Sequence, residues 1–162
     1  MAEAEKATKQ LYGFVCSKHP SDDKSDEIWL GRLPYAGVKP FLHSDLLSKV
    51  EKALALHARY VQRFPSRKPL MIEVDFLSGF LAPPKKFEIQ QALFWGDNVV
   101  FELRLFWGST SFSDRWQQSV WVHWRPDNGK MRLSEIKWPG DNIERSLDEA
   151  INFYEKGLAG SE

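Results

Sequence analysis

A long amphipathic helix is predicted in the first half of the chain. Between 44 and 63, apolar residues recur at three- and four-residue steps with polar residues on the other faces, as in a helix that buries one side. Ser44 is the expected N-cap, because its hydroxyl can accept a hydrogen bond from the first turn. Pro65 cannot continue a helix, so the helix is expected to end before it. The expected buried stripe is Leu47, Val50, Leu54, Ala58 and Val61.

A second helix is predicted near the end of the chain, over about 142–156. Asp141 and Glu144 have the spacing of a capping box, and Gly157 is a residue type that often ends a helix. Five apolar side chains then fall on one face of the predicted helix. They are Ile143, Leu147, Ala150, Ile151 and Tyr154.

Strands are predicted where apolar residues alternate with polar ones or form short runs. Three such segments are 11–17, 28–33 and 70–77, and a meander of four strands follows over 86–138. Two hairpin turns inside the meander are predicted from residues that tolerate positive φ. They are Gly96-Asp97-Asn98 and Asp127-Asn128-Gly129.

The predicted fold is α+β. A mainly antiparallel, curved sheet of about six strands is expected to pack against the helices at about 44–63 and 142–156. Residues 1–10 are expected to form a flexible N-terminus or a short exposed helix, and 11–158 a single domain, in keeping with a chain of 162 residues. This layout is similar to cystatin-like and NTF2-like domains, and the similarity concerns the fold alone.

The meander has two faces of different character, because side chains alternate along a strand. One face is predicted to form the core, with Val99, Phe101, Leu103, Leu105, Trp107, Trp116, Val120, Val122 and Trp124. The opposite face mixes aromatic and charged residues, and Ile136 and Trp138 are assigned to it by the same alternation. Its candidate binding residues are Glu102, Arg104, Phe106, Trp121, His123, Arg125 and Trp138.

Three interpretations of this mixed face remain open. On a flat sheet it forms an amphipathic surface rich in tryptophan and arginine, the residue types enriched at protein interface hot spots. On a strongly curled sheet it lines a pocket with Glu102, Arg104 and His123 as polar groups. Cross-strand aromatic and charged pairs also stabilise ordinary sheets, so a purely structural role is the third.

Composition narrows the classes of function. The sequence contains 22 basic and 22 acidic residues, so no net field attracts nucleic acid or an anionic membrane. Six of the seven tryptophans lie in the meander, and aromatic residues make up 14% of the chain. The single cysteine, Cys16, and the lack of a signal peptide or an apolar run near 20 residues lead to the expectation of a cytoplasmic protein.

Motifs for common enzymes and for metal or cofactor sites are absent from the sequence, including glycine-rich phosphate loops, HExxH, CxxC and GxSxG. Neither a metal nor a cofactor is therefore expected. If the protein is an enzyme, His123 with Glu102 or Asp75 is the candidate acid/base group. His57 lies on the helical stripe and is interpreted as a partly buried structural histidine.

The first functional hypothesis is a non-enzymatic protein-binding module, such as an inhibitor, an immunity-type protein or an adaptor, that uses the aromatic-rich face. The alternative is a small-ligand-binding or enzymatic domain with a pocket in a curled sheet. The third hypothesis is a binder of single-stranded nucleic acid, in which Phe106, Trp121 and Trp138 stack on bases beside Arg104, Arg125 and Arg132. The zero net charge places it last.

Overall fold

The computed structural model describes residues 1–17, 35–66, 77, 84–107 and 117–160. In this part of the chain four α-helices and one antiparallel sheet form the predicted α+β fold. The helices are α1 (Ala2–Ser17), α2 (Tyr35–Val38), α3 (Ser44–Arg63) and α4 (Ile143–Ala159), with a 3₁₀ turn at Lys39–Phe41. The strands are β1 (Lys86–Trp95), β2 (Asn98–Phe106), β3 (Gln117–Asp127), β4 (Lys130–Trp138) and the two-residue β5 (Asp141–Asn142).

The sheet is the predicted meander with one short strand added, in the order β1-β2-β3-β4-β5. The described residues therefore contain five strands instead of about six. Both predicted hairpins are confirmed. Gly96 has a φ of 59°, and Asn128 and Gly129 have φ values of 50° and 75°, so each turn uses the residue types that tolerate this conformation. The strand predicted at 28–33, and all of the one at 70–77 except Leu77, lie outside the described residues.

The strand predicted at 11–17 is wrong, because this segment is the second half of helix α1. The preceding residues, expected to be flexible or a short exposed helix, form the first half of α1 and are helical from Ala2. The buried residues of α1 follow a helical period that begins with small side chains, so the sequence pattern does not reveal the helix. They are Ala4, Thr8, Leu11, Tyr12 and Val15.

Helix α3 has the predicted bounds, but its buried side is rotated from the predicted one. Leu46, Val50, Ala53, Leu56 and Tyr60 are buried, whereas Val61 is 38% exposed. The cap is also different, because the Nδ1 atom of His43 accepts a hydrogen bond from the Asp45 amide at 3.2 Å, and Ser44 is already helical.

Helix α4 buries all five predicted apolar residues. Its N-cap is Asn142 instead of Asp141, since the Asn142 Oδ1 atom accepts a hydrogen bond from the Arg145 amide at 2.9 Å. The helix also continues past Gly157 to Ala159. Gly157 has a packing role there, because an added Cβ would lie 2.7 Å from the Cε2 atom of Tyr60.

Two bulges set which residues of the outer strands face the core. Along β4, Leu133 is opposite Trp124 and Ile136 is opposite Val122, so one extra residue lies between them. Ile136 and Trp138 therefore belong to the buried core, and their predicted place on the opposite face is wrong. Strand β1 has a similar register shift between Ile89 and Gln91.

The core face of the central strands is as predicted. Val99, Phe101, Leu103, Leu105, Val120, Val122 and Trp124 are buried and belong to one hydrophobic cluster with residues of α1, α3 and α4. Trp107 is partly buried against this cluster, and Trp116 lies outside the described residues. None of the helices described is long and apolar enough to cross a membrane.

The two helical glycines Gly157 and Gly13 provide a matched test of the α3–α4 packing. Gly157→Ala is expected to lower the free energy of unfolding by about 1 to 2 kcal/mol, because the clash with Tyr60 outweighs the gain in helix propensity. At Gly13, an exposed position of α1, an added Cβ would meet no atom within 4 Å outside the adjacent helix backbone, so Gly13→Ala is expected to raise the free energy of unfolding by about 0.5 to 1 kcal/mol. Urea denaturation measures both, and a change of the same sign in the two variants would contradict the packing.

Candidate functional site

The side of the sheet opposite the core is called the second face. It follows from strand alternation and from the pairing register across the four long strands. Strand β1 contributes Lys86, Glu88, Gln91, Leu93 and Trp95, and β2 contributes Asn98, Val100, Glu102, Arg104 and Phe106. Strand β3 contributes Gln117, Ser119, Trp121, His123, Arg125 and Asp127, and β4 contributes Lys130, Arg132, Glu135 and Lys137.

Six of the seven predicted binding residues lie together on the second face, in two adjacent rows. Glu102, Arg104 and Phe106 form the row on β2, and Trp121, His123 and Arg125 form the row on β3. Trp138 does not join them, because it is 7% exposed and faces the core. Asp75 lies outside the described residues.

Glu102 is held in the sheet by polar neighbours on both sides. The Nε2 group of Gln91 donates a hydrogen bond to its carboxylate at 2.6 Å, and the Ser119 hydroxyl donates one at 3.1 Å. The directly opposite residue on β3 is Trp121 instead of His123. This arrangement positions Glu102 as an anchored carboxylate beside an aromatic ring.

Among the described residues, the acid beside His123 is Glu135, which is directly opposite it on β4. The distance from His123 Nδ1 to Glu135 Oε2 is 3.8 Å, longer than a hydrogen bond, and Lys137 Nζ lies 3.3 Å from the same oxygen. Burial lowers the pKa of His123, the Glu135 carboxylate opposes this shift, and the Lys137 charge adds to it. His123 is therefore neutral at pH 7 and able to accept a proton or a hydrogen bond.

A row of three exposed apolar residues ends strand β1. Leu93 is 52% exposed, Phe94 57% and Trp95 84%. Leu93 and Trp95 belong to the second face, because they pair with Val100 and Asn98, whereas Phe94 belongs to the opposite side. The second face thus ends in a large indole that is almost fully in solvent.

A cleft of about 310 Å³ opens between this end of the second face and the first turns of two helices. The sheet side includes Trp95, Val100, His123, Arg125 and Glu135. The helical side includes Asp45, Lys49 and Glu144, and Lys49 Nζ lies 2.7 Å from the Glu144 carboxylate. Hydrogen bonding to Glu144 raises the pKa of Lys49, so this lysine remains charged.

Several of these residues were missed by sequence reasoning. Glu135 and Lys137 reach the second face only because of the bulge in β4, which no periodic pattern indicates. The contributions of Asp45, Lys49 and Glu144 depend on where the helices lie against the sheet, and this is a tertiary property. Trp95 lies next to the predicted turn, and its exposure distinguishes it from the other tryptophans that the structure describes.

Comparisons with known proteins yield only distant structural likeness. No protein-family model matches the sequence, and no curated protein matches it. Among solved structures, the chain is similar to a chain in the crystal structure of the type VI native effector-immunity complex Tae3-Tai3 from Ralstonia pickettii. The sequence identity is 15% and the TM-score 0.48, and the match covers 85% of this chain and 95% of the other. At that distance we transfer neither a site nor an activity from it.

Proposed function

We propose that this chain is a non-enzymatic protein-binding module, of the inhibitor, immunity or adaptor type, that docks its partner on the second face. The observation that carries the proposal is the exposure of Trp95 and Leu93 on the same face as Trp121 and Phe106. Apolar side chains grouped among polar groups on a surface mark interaction sites more often than ordinary solvent-facing sheet.

The chemistry of the second face supports a protein partner. Tryptophan and arginine are enriched among the residues that contribute most to interface energy, and both occur here in neighbouring rows. Arg104 and Phe106 are partly buried by their neighbours, and the Lys86 ammonium lies 5.3 Å from the centre of the Phe106 ring. Partial burial of this kind restricts the side-chain rotamers before binding, which reduces the entropy cost of forming an interface.

A small-ligand-binding or enzymatic function is the second candidate, and the cleft beside His123 favours it. A neutral imidazole with a carboxylate 3.8 Å away can take part in acid/base chemistry when a ligand draws the two groups together. Glu135 is a further candidate partner of His123, beside Glu102 and Asp75, which the sequence suggested. In this candidate function, the ligand binds in the cleft and does not contact the rest of the second face.

Site-specific photo-cross-linking in cells that encode the protein tests the proposed function. A photoreactive amino acid is placed at Trp95 or at Arg104, which are separated along the second face, and at Val61 as the control. Val61 is an exposed apolar residue on α3. Positions 95 and 104 are expected to give the same cross-linked protein, identified by mass spectrometry, and position 61 is expected not to give it.

The pattern of products also separates the two candidate functions. Cross-linking to one protein from both positions supports docking across the whole face. Absence of a protein adduct at both positions contradicts the protein-binding proposal and favours a ligand in the cleft. An equal yield of the same adduct from position 61 would contradict the assignment to the second face.

A further inference from the structure

Two arginines face each other directly across strands β3 and β4. Arg125 and Arg132 are register partners at the cleft end of the second face. Arg125 is exposed, and Arg132 is partly buried and donates a hydrogen bond from Nη1 to the carbonyl oxygen of Pro40. Like charges directly opposite each other destabilise a sheet, so this pair lowers the stability of the fold. Residues that lower stability in this way are often retained for function.

The acidic groups around the cleft have other neighbours. Glu144 lies 2.7 Å from Lys49, and Glu135 lies 3.3 Å from Lys137. Asp45 Oδ2 lies 3.5 Å from His43 Nδ1. Among the residues that the structure describes, no carboxylate forms an ion pair with Arg125 or Arg132.

The second face also carries more positive than negative charge, although the whole chain is neutral. Its four long strands place six basic and four acidic side chains on this face. The excess is local, because the chain as a whole has a formal net charge of zero. A partner surface of opposite charge would complement this end of the face.

We infer that Arg125 and Arg132 form the recognition point for an acidic side chain of the protein partner. The inference rests on the proposed function and specifies the chemistry of the docked surface. A glutamate or aspartate carboxylate accepts hydrogen bonds from the two guanidinium groups and removes their mutual repulsion on binding. The exposed ring of Trp95, which lines the same cleft as Arg125, packs on the apolar part of the docked segment.

A protein carboxylate fits this end of the face better than a nucleic-acid backbone does. Continuous phosphate binding needs a basic groove that extends along several nucleotides. Here Glu102, Asp127 and Glu135 share the face with the arginines, and Asp45 and Glu144 form the helical side of the cleft. These carboxylates repel an extended polyanion but leave room for a single acidic side chain.

Titration with N-acetylated hexaglutamate, followed by amide and indole NMR signals of the full chain at low ionic strength, tests the inference. Shifts are expected at Arg125, Arg132 and the Trp95 indole. The double variant Arg125→Gln/Arg132→Gln is expected to raise the dissociation constant about tenfold. Arg59→Gln, which removes the same charge from an exposed position on α3, is the matched control and is expected to leave it unchanged.

Thermal unfolding gives a second readout on the same variants. Since Arg125→Gln removes a like-charge contact, its melting temperature is expected to remain unchanged or to rise by up to about 3 °C. A fall would show that Arg125 stabilises the sheet and would overturn the inference.

Other outcomes of the titration also decide the question. Absence of shifts with hexaglutamate, or an equal loss of affinity in Arg59→Gln, overturns the inference. Tighter binding of a short oligothymidylate than of hexaglutamate overturns it in favour of a nucleic-acid ligand. If cross-linking from position 95 succeeds while hexaglutamate fails, the protein-binding function stands and only the acidic recognition point is rejected.

Discussion

Trp95→Ala is expected to weaken partner binding by roughly 30-fold or more, or about 2 kcal/mol, while leaving the free energy of unfolding within about 0.5 kcal/mol of the wild type. The indole is 84% exposed in the free protein, so the fold gains little from it. In a complex on the second face the same ring would be desolvated, which is typical of an interface hot spot. Isothermal titration calorimetry with the partner that cross-linking identifies measures the affinity, and urea denaturation measures the free energy of unfolding.

The neighbouring residue provides a control for this substitution. Phe94 is also aromatic and is 57% exposed, but strand alternation places it on the opposite side of the sheet from Trp95. Phe94→Ala is therefore expected to bind the partner with nearly wild-type affinity. If Phe94→Ala and Trp95→Ala weaken binding equally, the partner contacts the edge of β1 instead of the second face.

Trp124→Ala is expected to lower the free energy of unfolding by about 3 to 5 kcal/mol, the range found when large aromatic residues are removed from cores. Trp124 is fully buried, opposite Val99 on β2 and Leu133 on β4, and it joins the cluster that includes all three long helices. Because the stability of a domain is typically about 5 to 15 kcal/mol, the variant will be strongly destabilised. Urea denaturation with tryptophan fluorescence and circular dichroism measures the loss.

The same change at Trp95 serves as the reference, since both variants remove one indole. A loss at Trp124 that is no larger than the loss at Trp95 would contradict the assignment of the two faces. Agreement of the fluorescence and circular dichroism midpoints is also required, because the free energy is defined only for a two-state transition.

The strongest periodic patterns in the sequence predicted the structure well. The bounds of α3, the five buried residues of α4, both hairpins and the core face of β2 and β3 follow from local patterns and turn chemistry. In each case the local preference and the tertiary packing agree. Such agreement is typical of elements that form the core and contain no bulge or other irregularity.

The predictions that are wrong concern segments whose structure is determined by long-range packing. Helix α1 uses Ala4 and Thr8 on its buried side, so its first half lacks the large apolar residues that reveal a helical period. The buried side of α3 is set by contacts such as those of Tyr60 with Phe153 and Tyr154 of α4, which the pattern of α3 alone does not contain. Ile136 and Trp138 were misplaced because alternation was continued through an irregular strand.

The candidate site was predictable in its central rows and not at its margins. Glu102 to Phe106 and Trp121 to Arg125 lie on regular strands, so parity alone groups them. The pairing of Arg125 with Arg132, and of His123 with Glu135, requires the register between β3 and β4. The cleft requires in addition the position of α3, which is distant in sequence from the sheet residues, and of the start of α4.

The bulge in β4 makes the regularity of this strand a determinant of surface charge. Ser134, whose hydroxyl donates a hydrogen bond to the carbonyl oxygen of His123, lies where the strand changes phase. If β4 kept the same residues but alternated strictly from Leu133 onward, Glu135 and Lys137 would turn inward, and Ile136 and Trp138 would turn to solvent. The composition would not change, yet the polarity of both sides would be inverted. For β4, the bulge is therefore as strong a constraint on this surface as the identity of its residues.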